Sequence, residues 1–247
     1  MEAGGADAGT ATMFVAAARE LGGFARIDGL AVLDFGCGQG DLVRALRRHG
    51  LEARGADFPQ NLGEDGNLSS IQSNPYRLPY PDATFDVVVS TSVFEHAQGT
   101  EECMTEIHRV LRPGGIAVHT FPGKWYLPRE PHIYVPLVNW FWPLVLRPWL
   151  ALWALAGTRN EYQKGLSWRE VTTLNAAYVR DGLCYYTTRH YNTVSDRVFG
   201  NHEWPMQFFI EQGPGGAARL ARRLPAKWLT GRLLRELRFG LLLQRKT

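Results

Sequence analysis

Val32-Leu33-Asp34-Phe35-Gly36-Cys37-Gly38-Gln39-Gly40-Asp41-Leu42 is the stretch around which this 247-residue chain is organised. A short apolar run carrying Asp34 leads into glycines at alternate positions, and Leu42, Val43 and Leu46 then recur at helical spacing. The pattern predicts a buried strand, a tight glycine turn and the start of a helix. Glycines let the backbone turn sharply and let a ligand approach where a Cβ would clash.

Working outward, the helix after the turn stops near Gly50. A second strand is expected over 52–57, ending in Asp57, and a short third one over 68–72. Residues 74–82 form a proline-broken loop. Phe85-Asp86-Val87-Val88-Val89-Ser90 is a nearly continuous apolar run, as a central parallel strand requires. A helix over 100–111 carries Cys103, Met104, Ile107, Val110 and Leu111 on one face, and a fifth strand follows at 116–121. Strands alternating with helices predict βαβ units and a parallel sheet. Residues 123–166 break this rhythm as an insertion. Ser167 caps a helix over 168–180, residues 183–191 read as a strand, and 239–245 as a last apolar strand. Residues 1–12, small and acidic without the marks of a signal peptide, are expected to be a disordered lead before a helix over 13–21.

At 45% hydrophobic and 21% charged, the chain can bury a sizeable core, and a net charge of +3 excludes a general polyanion binder. The charge is uneven. Residues 219–247 hold nine Lys/Arg and one acid, which leaves −5 for the preceding residues. Cys37, Cys103 and Cys184 lack paired spacing, so neither a disulfide framework nor a zinc site is expected, and a reducing cytoplasm fits.

The glycine turn separates two kinds of ligand. A dinucleotide fingerprint, G-x-G-x-x-G, needs glycine or alanine at position 41. Asp41 stands there, and the third glycine comes one place early, at Gly40. An acid beside a pyrophosphate is repulsive, so a cationic ligand without phosphates fits better.

Further blocks follow in order: Asp57, then Leu78-Pro79-Tyr80-Pro81-Asp82-Ala83-Thr84-Phe85-Asp86, then Phe94-Glu95-His96, then Glu106-Ile107-His108-Arg109-Val110-Leu111-Arg112-Pro113-Gly114-Gly115. With the glycine turn, this series resembles the class I S-adenosylmethionine-dependent methyltransferases of type 11, over residues 31–122. The resemblance implies one α/β domain with a Rossmann-like, seven-stranded, mostly parallel sheet flanked by helices. Its strand order would be 3-2-1-4-5-7-6, with an aromatic-rich insertion after the fifth strand. It implies S-adenosyl-L-methionine as cofactor, with Asp34, Gly36, Cys37, Gly38, Gly40, Asp57, Phe58, Asn74, Ser90 and Ser92 as binding candidates. Asp34 would balance the cofactor's ammonium, Asp57 would accept from both ribose hydroxyls, and Phe58 would contact the adenine. Asn74 stands where many relatives carry an acid for the adenine amino group, a bond an amide oxygen can also accept.

Methylation of a hydroxyl needs a base, and His96, His119 and His132 are the candidates. Some ubiquinone-pathway O-methyltransferases carry E-x-x-E-H and hold a divalent metal. Here the segment is Ser92-Val93-Phe94-Glu95-His96, one carboxylate short, so no metal is expected.

Residues 133–156 contain Arg147 as the only charge, together with Trp140, Phe141, Trp142, Trp149 and Trp153. Prolines at 136, 143 and 148 argue against a simple membrane span. Three roles fit: a lid over the acceptor, an interfacial membrane contact, or an oligomer contact. Between 215 and 247, basic residues interleave with leucines and Trp228, a pattern suited to an anionic membrane surface on the cytoplasmic side or to a solvated helix. No nucleic-acid motif accompanies it. The expected activity is methyl transfer, with oxygen as the favoured atom, to a small-molecule, glycan or lipid-linked acceptor. The competing roles are a catalytically silent cofactor-binding subunit and a membrane-associated scaffold.

Overall fold

Runs with no polar alternation make strands that are covered on both faces. In the computed structural model, which describes residues 3–140 and 143–247, the strands are β1 (Ala31–Phe35), β2 (Glu52–Asp57), β3 (Leu68–Ser70), β4 (Phe85–Thr91), β5 (Leu111–Pro122) and β6 (Phe239–Arg245). They form one sheet in the order β3-β2-β1-β4-β5-β6. Every neighbouring pair is parallel except β5 with β6. The α/β, mostly parallel architecture is as expected, with six strands in this sheet among the described residues.

The segment expected as a further strand, 183–191, does not join the sheet. The Thr187 side chain accepts a hydrogen bond from the His190 amide and so starts a helix at Thr188. At the outer edge of β6, among the described residues, there is only a single antiparallel bridge, between Glu203 and Leu243.

The helices are α1 (Ala3–Glu20), α2 (Asp41–Arg48), α3 (Thr100–Val110), α4 (Pro143–Leu155), α5 (Trp168–Asp181), α6 (Thr188–Phe199), α7 (Met206–Gln212), α8 (Gly216–Arg222) and α9 (Lys227–Leu237). The lead expected to be disordered is helical from Ala3 onward. Its alanines favour helix, and Ala11, Met13, Phe14, Ala17 and Ala18 bury against the sheet, which outweighs the glycines. Successive strand residues divide between two cores. Val32, Val87, Val89, Val118 and Leu243 pack with α1, α2 and α7. Leu33, Phe35, Val88, Ala117 and Leu242 pack with α3 and α6 on the other face. Within the insertion, Ile133, Val135, Val138 and Leu150 make a small separate core against α5. Of the aromatics singled out there, Phe141 and Trp142 lie outside the described residues.

The 78–86 and 106–115 blocks form a structural clamp. Glu106 accepts the Leu78 amide at 2.8 Å, while Arg109 donates to the carbonyls of Leu78 and Tyr80 at 3.1 and 2.8 Å. Arg109 also pairs with Glu106 and Asp82, both at 2.7 Å. The loop entering β4 is thereby tied to α3. Arg109→Ala leaves Glu106 without its partner, so unfolding in urea is expected to come earlier by on the order of 3–5 kcal/mol. An unchanged midpoint would remove the clamp's structural role.

Candidate active site

β1 brings the glycine turn to the carboxyl edge of the sheet, where open α/β folds bind ligands. Gly36 has φ +79°, and a Cβ there would lie 2.3 Å from Val93 Cγ2, so both conformation and contact require glycine. The Gly36 and Cys37 amides both donate to Ala56 O, at 2.8 and 3.2 Å. Asp57, ending β2, completes the junction. Its Oδ2 accepts the Gly38 amide at 2.9 Å, and its Oδ1 accepts the Phe58 amide at 2.7 Å and Asn61 Nδ2 at 2.8 Å.

A cavity of about 550 Å³ opens at this junction, a volume typical of small-molecule sites. Of the candidates from the sequence, Gly36, Asp57, Phe58, Ser92 and His96 line it, and Tyr76 joins them. Tyr76 comes from a small hairpin pairing Gln72–Ser73 with Tyr76–Arg77, and its ring meets Phe58 edge-on at 6.3 Å.

The other candidates lie elsewhere. Asp34 and Cys37 are buried and do not line this cavity. Gly40 takes the left-handed conformation at the start of α2, and Gly38 acts through its amide on Asp57. Asn74 is exposed at the turn of the small hairpin, outside the lining, while its neighbours Ser73 and Tyr76 reach the cavity. Ser90 and His119 are register partners in β4 and β5, joined at 2.7 Å through Oγ and Nδ1. His119 is 0% exposed, and burial pushes its pKa down to about 3. It is a neutral core residue under the sheet, and its candidacy as a catalytic base is corrected accordingly.

His96 keeps its candidacy. Its Nδ1 lies 2.6 Å from Gly182 O, and because a carbonyl only accepts, Nδ1 carries the proton and Nε2 keeps the lone pair. Burial lowers its pKa, favouring the neutral ring. The His96 ring centroid is 5.1 Å from that of His132, which the insertion brings back against it. His132 Nδ1 contacts Glu130 Oε1 at 2.6 Å. Glu130 is only 2% exposed, and its Oε2 also accepts the amides of His132 and Ile133 at 2.7 and 2.8 Å. Tyr185 donates to the same carboxylate at 3.3 Å. The Glu130 hydrogen bond is the main cause holding the His132 pKa above its usual value. His132 and Tyr178 line a second cavity of about 510 Å³, enclosed by the insertion and α5. His96 on the wall of the first cavity and His132 on the wall of the second are thus neighbours.

Glu95 turns inward and is buried, and desolvation raises its pKa to about 7. It does not share the cavity wall with His96. Among the described residues, no group of three or more His, Cys, Asp or Glu is arranged to hold a metal ion. Sequence reasoning missed Glu130, although an acid two residues before a histidine in an apolar insertion is a readable signal.

Residues 33–119 match the family profile described as "Methyltransferase domain". A probable S-adenosylmethionine-dependent methyltransferase of Mycolicibacterium smegmatis is 35% identical over 40% of this chain and 40% of its own length. The sterol 24-C-methyltransferase ERG6B of Gibberella zeae is 34% identical over 36% of this chain and 26% of its own. An S-adenosylmethionine-dependent methyltransferase structure from Mesorhizobium loti superposes with a TM-score of 0.52, covering 94% of this chain and 96% of that one at 17% identity. Residues 33–119 thus resemble the methyltransferase domain of S-adenosylmethionine-dependent enzymes, and the fold is theirs. The sequence matches span only 26% to 40% of the length of these curated relatives.

The cavity residues fit this cofactor. Asp57 has about four acceptor positions and spends three within the protein, leaving capacity for a ribose hydroxyl. Gly36 exposes backbone to the cavity, and Phe58 with Tyr76 supplies an aromatic wall for an adenine. Asp57→Ala is expected to weaken S-adenosylmethionine binding by roughly tenfold or more in titration calorimetry, about 1.4 kcal/mol. Unchanged affinity would overturn the ribose assignment.

Proposed function

We propose that this chain transfers a methyl group from S-adenosylmethionine to a hydroxyl oxygen of a small-molecule, glycan or lipid-linked acceptor. The observation that carries the oxygen assignment is the His132–Glu130 pair, with His132 on the wall of the second cavity and its ring 5.1 Å from that of His96 on the wall of the first. Matched relatives are named as both C- and O-methyltransferases, so the resemblance leaves the acceptor atom open.

When bound, the cofactor supplies a methyl group on cationic sulfur. Transfer to a hydroxyl forms an O–CH₃ bond, breaks the S–CH₃ bond and releases one proton. The buried Glu130 carboxylate fixes His132 with Nδ1 protonated, so Nε2 is free to take that proton, and the same carboxylate stabilises the resulting imidazolium. His96, held neutral on the wall of the first cavity, stands beside His132. The second cavity, with Tyr134, Asn160, Tyr162 and Tyr178 on its walls, can hold the body of the acceptor.

Label transfer from methyl-labelled cofactor to a panel of hydroxylated acceptors, resolved into aqueous and lipid-soluble fractions, tests the reading directly. His132→Gln is expected to lower turnover by ~10²–10⁴-fold with cofactor affinity intact; full turnover would exclude it as the base. A base must be unprotonated, so the rate should rise with pH through the His132 pKa, above the ordinary imidazole value of 6.5. Glu130→Gln removes the main cause of that elevation and should shift the rising limb to lower pH. An unshifted limb would sever the two residues functionally.

A further inference from the structure

The helix α9 has the reverse of the usual surface pattern. Its inner side carries Gly231, where a Cβ would lie 2.9 Å from Met206 Cβ, and the buried Leu234. Its outward stripe is Trp228, Leu229, Arg232 and Leu233, apolar apart from one arginine. Trp228 is 75% exposed and Leu233 is 51% exposed. Next to it in sequence, α8 leaves Leu220 62% exposed, with Leu224 exposed just beyond its end. Interleaved with these side chains along the chain are the exposed Arg219, Arg222, Arg223 and Arg232. Of the basic residues from 219 to 238, Arg235 alone has a carboxylate partner among the described residues, its neighbour Glu236.

Two further exposed indoles lie near the C-terminal end of α9. The Trp125 amide donates to Glu236 O at 3.2 Å, and Trp140 Nε1 donates to Trp125 O at 3.2 Å. These two exposed indoles meet edge-on with centroids 5.3 Å apart.

We infer that the α8–α9 face docks on the surface of an anionic lipid bilayer. Trp228, Leu229 and Leu233 would enter the headgroup region, and Arg219, Arg222, Arg223 and Arg232 would meet lipid phosphates. A second copy of the chain does not complement this face, because a two-fold contact would press unpaired arginines together. A nucleic acid would satisfy the arginines and leave the leucines without a partner. Among the described residues no helix is long and apolar enough to cross a membrane, so the contact is peripheral. The inference rests on surface chemistry and is independent of which atom is methylated.

Vesicle flotation of the full chain tests it, with phosphatidylcholine alone against phosphatidylcholine containing 30% phosphatidylglycerol as a chosen, approximate composition. Wild type is expected to float with the anionic vesicles and remain behind with the neutral ones. Arg223→Gln combined with Arg232→Gln should lower the partition coefficient about 25-fold, roughly fivefold per charge. Trp228→Ser with Leu233→Ser should also reduce flotation; all four positions are exposed, and circular dichroism checks that the fold is retained. Failure of the wild type to float, equal flotation on neutral vesicles, or flotation unchanged in both variants would overturn the proposal. So would a dimer in light scattering that dissociates on Trp228→Ser.

Discussion

The site depends on one carboxylate, that of Asp57. It reaches from the end of β2 to the Gly38 amide and also holds the Phe58 amide and the Asn61 side chain. A tight glycine turn leaves amides without partners of their own, and each such buried donor costs roughly 1–3 kcal/mol if unmet. Asp57 therefore fixes the turn relative to β2 and the loop that follows it. The positions of Gly36 and Phe58 on the cavity wall follow from that junction, and so does the aromatic contact from Phe58 to Tyr76.

The second half of the site is built by chain outside the blocks that carry the family resemblance. The insertion folds into its own small core and delivers His132 to His96, while the 182–185 segment supplies the carbonyl of Gly182 and the hydroxyl of Tyr185. These two imidazoles have opposite environments. His96 is bonded to a neutral carbonyl and its charged form is disfavoured, whereas His132 is bonded to a buried carboxylate that favours it. Neighbouring groups whose pKa values are displaced in opposite directions favour a neutral ring at His96 and a charged one at His132.

The same division between framework and addition appears at the surface. The sheet and its covering helices bury their apolar faces, but α9 turns its larger apolar side chains outward. Gly231 allows this, because its missing Cβ lets the helix settle against Met206 with little inward bulk. The helix is held by backbone proximity on one side and remains free to make contacts on the other.

Local patterns were sufficient for the parallel sheet, the glycine turn and Asp57 as its partner strand's last residue, each of which depends on periodicity or on a turn chemistry that neighbouring residues specify. Phe58, Ser92 and His96 became candidates through the family resemblance. The sequence could not separate His96 from His119, because both end or follow strands on the same side of the chain's rhythm. Burial separated them, since His119 faces its register partner Ser90 inside the sheet. Nor could it show that residues 183–191 would not join the sheet, a choice made by the Thr187 cap. What the sequence by itself determined was the parallel sheet and the glycine turn between β1 and α2, which periodicity and turn chemistry specify locally. The pairing of Glu130–His132 with His96 needed the tertiary structure, because it is set by how the insertion packs back against the loop after β4.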